Sequence, residues 1–458
     1  MTRTADAGRQ RIAPARVAAY EVLRAVNAGT ADLPHALAQH RGHLADERDR
    51  ALAGEIVTGT LRWQAAFDHV VAQFTRRPVG RLDAEVLDVL RLSIFQLLHL
   101  DRVPASAVVN DAVDLARRAG KKSAAPLVNA VLRRVSRERQ KLPLPPRPAD
   151  SGDREAQLDY LSIALSHPRW LAARWLDRHG FDNAESWLRF NNSPAVLTLR
   201  VNTLKMTRAE LVVALQAYGV ETEPARFAPD GLLVRQGNPL LTPLSAQGLF
   251  FVQDEASQVV ATFVEAAPGQ RVLDACASPG GKTIAIAAAQ QDRGVVVASD
   301  IRGRRLDLLA RTVAASGAAS IRVVQADAAA LPFRAGFDWV LLDAPCSGLG
   351  TIRRDPDVRW RRHEADLNGL AESQRRMLIE TARVLRPGGR LVYATCSSEP
   401  EENEAVVEAA VSAGVVRPAT AEDLPSSVRG LVNAEGHLRT YPFSHGLEAF
   451  FAAVLVKP

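Results

Sequence analysis

Between Arg271 and Cys396 the chain repeats one unit: a short apolar run closed by a polar residue, followed by a turn or an amphipathic stretch. The runs are RVLDA (271–275), GVVVASD (294–300), IRVVQAD (321–327), FDWVLLD (337–343) and GRLVYATC (389–396). KTIAIAAAQ, RRLDLLARTVAAS and LAESQRRMLIETARVL lie among them with helical spacing. Near-continuous apolar strands alternating with helices predict a parallel sheet covered on both faces, with right-handed crossovers. Carboxyl ends of parallel strands share one edge. Asp300, Asp327, Asp343 and Cys396 close their runs, and Cys346 follows Asp343 by three positions. Residues far apart in the chain are therefore expected to meet at that edge.

The first of these runs opens onto CASPGGK, Cys276 to Lys282. A turn at the carboxyl end of a strand is where an open α/β sheet takes a nucleotide-like ligand. The turn fits neither common phosphate loop. Cys276 stands where a Walker A loop needs glycine, and Gly280-Gly281 after Pro279 are too few for the dinucleotide fingerprint. Asp300, closing the second run, can bond both hydroxyls of a ribose, and Asp327 an adenine amino group. A nucleoside without pyrophosphate suits these features, which points to S-adenosylmethionine.

Two of the three cysteines, Cys346 in DAPCSGLG and Cys396 in ATCSSEPEENE, fall at strand ends in polar, turn-forming surroundings. Cytosine C5 is too weak a nucleophile to take a methyl group unaided. A thiolate adding to C6 makes C5 nucleophilic, and a base must later take the C5 proton so that the sulfur can leave. Cys396, Cys346 and Asp343 supply the nucleophile, the group assisting elimination and the acid near the N3/N4 edge that this scheme needs. Cys276 reads as a packing residue beside the cofactor.

Upstream the character changes. From Ala13 to Gln140 apolar residues recur at helical spacings, with Asp83 and Asn110 as expected helix starts. Residues 1–150 hold 24 Lys+Arg against 16 Asp+Glu, while the rest of the chain is nearly balanced. A basic helical region ahead of a neutral catalytic one suggests a polyanionic partner. Lys121 and Lys122 lie in its basic part. Further on, TIRRDPDVRWRRHE could clamp phosphates through Arg353 and Arg354 and stack a base on Trp360. The proline-rich KLPLPPRPADSGDRE reads as a linker, and SSEPEENE as the first turn of a helix whose dipole favours carboxylates. No apolar run approaches the roughly 20 residues that span a bilayer, and the cysteine spacing matches no zinc module. The expectation is a cytoplasmic protein, without metal or membrane partner and favoured as a monomer.

CASPGGK, DAPCSGLG, TCSSEPEENE, RVNTLK (200–205) and FVQDEASQ (251–258) together resemble the RNA cytosine-C5 methyltransferases of the Nop2/Sun superfamily. LDRVPASAVVNDAVDLARR and PLVNAVLRRV resemble NusB-like RNA-binding domains, a pairing similar to the Sun (Fmu) family acting on 16S rRNA. The resemblance implies Cys396 as nucleophile and Cys346 as the residue assisting product release. It also implies a cofactor site made of Cys276, Ala277, Ser278, Pro279, Gly280, Gly281, Lys282, Asp300, Asp327 and Asp343. Leu447-Glu448-Ala449 depart from a Thr-Asp-Gly turn expected near the end. The predicted organisation is a NusB-like all-α domain (10–141), a linker (142–156), a small α+β module (157–255) and a Rossmann-like methyltransferase domain (256–458). RVNTLK and FVQDEASQ are expected to brace the sheet, with Lys205 a further candidate for RNA. The alternatives are a tRNA or another rRNA cytosine as target, or a non-catalytic RNA-binding or antitermination factor.

Overall fold

The computed structural model describes residues 12–149, 152–420, 422–424 and 426–458. The expected domain start at residue 10 and positions 150 and 151 of the linker lie outside them. The chain packs as two compact units, one running to Ser193 and including Ile352–Arg361, the other Pro194–Thr351 with Arg362–Pro458.

The first unit is helical: Pro14–Asn27, Leu33–Arg41, Glu47–Arg62, Gln64–Thr75, Ala84–His99, Ala105–Arg118 and Ala125–Glu138 are followed by Arg154–Asp159, Arg169–His179 and Phe181–Asn192. Every residue from Val86 to Leu97 is buried, so Ala84–His99 is the central helix, apolar nearly all round. Its buried charges are paired: Asp88 with Arg24 and Arg91, and Arg91 with Asp68. Asp83 does precede that helix, whereas Asn110 lies inside Ala105–Arg118. Pro104 holds the chain extended just before Ala105, and the apolar stripe runs unbroken from there. In the proline-rich segment Leu142 and Leu144 pack on the helical core.

Ile352–Arg361 leaves the second unit's sequence to complete this one. Arg359 is fully buried, its guanidinium donating to Ser166 O at 3.0 Å and Asn192 Oδ1 at 2.8 Å. Trp360 Nε1 donates to Leu61 O at 2.7 Å, and Asp357 Oδ2 accepts from Leu33 N.

The second unit carries two sheets. The smaller is antiparallel, ordered β2-β3-β1-β4 from β1 (Thr198–Val201), β2 (Glu221–Pro224), β3 (Gly231–Gln236) and β4 (Phe250–Val252). Helix Arg208–Gln216 follows β1 behind a capping box of Thr207 and Glu210. RVNTLK ties this module to the larger sheet's layer. Asn202 Nδ2 donates to Gly248 O and Ser316 O, and Lys205 Nζ to Gln247 O and Ala315 O. Lys205 thus caps the carbonyl end of helix Gly303–Ser316, where a cation is favoured, which commits it to bracing.

The larger sheet contains β5 (Arg271–Asp274), β6 (Val295–Asp300), β7 (Ile321–Gln325), β8 (Phe337–Asp343), β9 (Leu385–Thr395), β10 (Arg417–Pro418), β11 (His437–Arg439) and β12 (Phe451–Val456). Its order is β10-β12-β9-β8-β5-β6-β7, with β11 also on β12. β5 to β9 run parallel, as expected from the apolar runs. The sheet as a whole is mixed, because β12 returns antiparallel to β9 and pairs antiparallel with β10 and β11. Alternation along the strands buries both faces. Val272, Leu341, Val392 and Ala452 join one core, and Leu273, Leu342, Tyr393 and Ala453 the other. Strand order reverses at β5, which lies between β6 and β8. That is the switch point where such sheets open a crevice.

Candidate active site

The turn after β5 leads straight into helix Gly281–Ala289, whose start has no side-chain cap. Its first N–H groups therefore have no intrahelical acceptor and favour an anion. Gly280 has φ +105°, the left-handed conformation that favours glycine, and a Cβ there would lie 2.9 Å from Leu309 Cδ1. Below the turn Asp274 is fully buried. Its Oδ2 accepts from Thr283 Oγ1 at 2.7 Å, and Oδ1 has no hydrogen-bond partner among the described residues. Burial pushes this carboxyl up to about 7. Cys276, beside it, has its thiol pushed up by burial, so it resists ionisation and suits packing better than attack.

The other strand ends converge as expected. Asp300 is buried, accepts from Arg302 N at 3.1 Å and lies 3.4 Å from Arg305 Nε. Arg305 also donates to Ser278 O, and Ser278 Oγ to Arg305 O, which ties the turn to the start of the next helix. Asp327 comes two residues after β7 ends, accepting from Ala329 N. Asp343, the last residue of β8, accepts from Lys282 Nζ at 2.7 Å. An uncapped helix start, carboxylates on successive strand ends and a cation at Lys282 fit the amino-acid and nucleoside ends of S-adenosylmethionine.

Cys346 and Cys396 follow the neighbouring parallel strands β8 and β9, and their sulfurs are 3.2 Å apart. The Cys346 thiol is pushed well up, first by its hydrogen bond with Cys396 and then by burial. Either sulfur can be the donor in that contact. Arg362 Nε donates to Ser347 O and its Nη2 to Cys346 O, fixing the loop from outside. The departure at Leu447-Glu448-Ala449 leaves this corner closed. Ala449 N donates to Gly350 O, Gly350 N to Cys396 O, and a Cβ on Gly350 would come within 1.9 Å of Ala449 O.

The acidic run after Cys396 departs from expectation. Helix Glu404–Ser412 starts after a separate turn, Pro400–Glu402, and the Glu402 side chain points inward, fully buried. It accepts from Ser347 N, Ser347 Oγ, Ser397 Oγ and Gln374 Nε2. Glu402, Gln374 and Arg362 were missed in the sequence. A glutamate among glutamates carries no sign that one of them is turned into the core.

The RNA candidates fall in the helical unit. Lys121 pairs with Asp83 and Glu85, while Lys122 is exposed and lines a cavity of 1690 Å³ with Arg117, Arg118, His40 and His43. Arg353 stacks over Phe190 at 4.3 Å, and Arg354 is exposed. Trp360 packs on the helical core with its N–H bonded, so its ring serves packing in this structure.

The family model described as 16S rRNA methyltransferase RsmB/F matches residues 261–456, the NusB family residues 13–137, and an RsmF/B-like ferredoxin-like domain residues 167–240. A probable ribosomal RNA small subunit methyltransferase B of Bacillus subtilis is 34% identical, over 90% of this chain and 91% of the relative. Ribosomal RNA small subunit methyltransferase B of Pseudomonas putida is 35% identical, over 86% and 88%. Among solved structures, that of PH0851 matches with TM-score 0.77 and 25% identity, over 98% of this chain and all of the other. A methyltransferase homologue from Pyrococcus horikoshii matches with TM-score 0.56 and 29% identity, over 66% and 99%. The methyl donor of such a sheet is S-adenosylmethionine. By its helical, ferredoxin-like and methyltransferase parts together, the chain belongs to the RsmB/F family of 16S rRNA methyltransferases.

Proposed function

We propose that this methyltransferase modifies C5 of a cytosine in 16S rRNA, through a covalent bond between Cys396 and C6 of the base. The placement of the thiol pair carries the reading: Cys346 and Cys396 follow neighbouring parallel strands at the edge that holds the cofactor turn, with their sulfurs 3.2 Å apart, so one can attack a base while the other stands beside it.

When bound, S-adenosylmethionine supplies an electrophilic methyl group. Residues 276–282, Asp300, Asp327 and Asp343 would hold it: the uncapped helix start takes its carboxylate, Asp300 the ribose and Asp327 the adenine. Cys396 forms the sulfur–C6 bond, which opens the C5–C6 double bond and makes C5 the nucleophile. Asp343, held in place by Lys282, faces the N3/N4 edge of the ring. After transfer a base takes the C5 proton, the C5–H electrons re-form the C5–C6 double bond, and the Cys396 sulfur leaves C6 as a thiolate, with Cys346 assisting that elimination. The target must leave its stack to reach the thiols, so a loop or unfolded rRNA segment is the substrate form. Lys122, Arg353 and Arg354 contribute phosphate contacts on the helical unit, in the cytoplasm where rRNA is assembled.

The test is labelled methyl transfer to naked 16S rRNA by wild type, Cys396→Ala and Cys346→Ala. Cys396→Ala should be inactive, and Cys346→Ala should accumulate a denaturant-resistant protein–RNA adduct. Full turnover by Cys396→Ala would sink the mechanism. Transfer to tRNA alone would move the substrate, and none to any RNA would favour a binding role.

A further inference from the structure

Glu402 has bonds that its place in an acidic run did not suggest. Its Oε1 accepts from Ser347 N at 2.7 Å and Gln374 Nε2 at 3.0 Å. Its Oε2 accepts from Ser347 Oγ and Ser397 Oγ, each at 2.5 Å. Ser347 directly follows Cys346 and Ser397 directly follows Cys396, and the two hydroxyls are themselves 3.1 Å apart. Gln374 Nε2 also donates to Pro345 O, on the other side of Cys346. Glu402 is in turn fastened to the strand leading to Cys396, because Tyr393 of β9 donates its hydroxyl proton to Glu402 O at 2.5 Å.

We propose that Glu402 is the positioning residue of the thiol pair, one buried carboxylate that sets the separation and aim of both sulfurs by holding the residue after each. The proposal rests on the reading that these two cysteines perform the transfer. A fully buried carboxylate is costly unless its lone pairs are met, and here both oxygens take two donors. Bonds to a charged acceptor are shorter and stiffer than neutral ones, so the two loops are held more tightly than serine contacts alone would hold them. The same charge opposes ionisation of Cys346.

Glu402→Gln in the full chain separates positioning from bulk structure. Binding of S-adenosylmethionine by calorimetry and the KM for 16S rRNA should stay within about twofold, while kcat falls about a hundredfold, the size expected for a misplacement near 1 Å. A second readout needs no activity. Diamide oxidises two nearby thiols to a disulfide, taking their two electrons and two protons to become the hydrazine. Closure of Cys346 onto Cys396, followed by mass spectrometry of unreduced peptides, should slow about tenfold in Glu402→Gln. Loss of the charge alone would ease ionisation and speed closure, so slowing reports lost geometry. If Glu402→Gln fails to fold by circular dichroism, Ser397→Ala, which keeps the carboxylate and removes one strut, should show the same two effects more weakly. Closure as fast as wild type in the folded variant overturns the proposal, whatever happens to kcat. A wild type whose closure depends on Glu402 but which methylates no RNA overturns the proposed reaction and leaves the positioning role standing.

Discussion

At the end of β5 the buried Asp274 has one oxygen bonded to Thr283 and the other without a hydrogen-bond partner among the described residues, and its carboxyl is pushed up to about 7. In the turn that follows β9, the equally buried Glu402 has two donors on each oxygen. The two carboxylates serve adjacent parts of one sheet edge, yet one is under-bonded beside the cofactor turn and the other saturated behind the thiols. In the proposed reaction the turn would receive and release a ligand at every cycle, and it is built from backbone N–H groups and loosely bonded acceptors. The two sulfurs would have to keep one separation, and a closed polar network holds them.

That contrast can be broken most directly through the cysteines. Cys396→Ser should lower methyl transfer by about four orders of magnitude, as removal of a nucleophile does, while Cys276→Ser should stay within about threefold. Equal losses in the same assay would erase the distinction between turn and thiol loops. Next in size is the pH dependence of Asp274. Its carboxyl is raised in the fold from 3.8 to about 7, so the stability it contributes is full below pH 3.8 and is lost as pH rises through 7. Over that window the loss is about 4 kcal/mol. Asp274→Asn should therefore gain in thermal midpoint over wild type from pH 5 to pH 8, and a constant difference would show that the carboxyl is not raised.

Smaller again, Asp300→Ala should weaken S-adenosylmethionine binding roughly tenfold to a hundredfold, the loss of about 1.5–3 kcal/mol for bonds to a charged group. The rate at which diamide joins Cys346 to Cys396 should not change in that variant. If it does, the two regions are coupled and the comparison fails. Smallest of all, Lys122→Ala should reduce the slope of log affinity for RNA against log salt by about one, measured by filter binding. An unchanged slope would remove Lys122 from the RNA surface.

The sheet edge that the site residues share was legible in the sequence. Asp300, Asp343 and Cys396 each close an apolar run, and the parallel arrangement that such runs demand leaves those residues no other edge to occupy. What could not be read was whatever depends on partners distant in sequence. The antiparallel return of β12 is decided by pairing with β9 and leaves no mark in its own apolar string. Asn110 looked like a cap because asparagine favours caps, but Pro104 had already started the helix. Trp360 and Arg359 sit in a basic stretch that suggests nucleic acid, yet one packs on a core and the other is buried among Ser166 and Asn192. Lys205 has the chemistry to bind phosphate and is instead bonded to Gln247 O and Ala315 O.

The ten residues Ile352–Arg361 have a consequence for the order of synthesis. When the ribosome has made Ser193, the helical unit has its helices but lacks Arg359, Trp360 and Asp357. Until more than 150 further residues emerge, Ser166 O, Asn192 Oδ1, Leu61 O and Leu33 N must find other partners or face water. The helical unit, translated before the second one, is thus finished only after much of the second has been made. A fragment ending at Ser193 should be correspondingly less stable than the same unit within the whole protein.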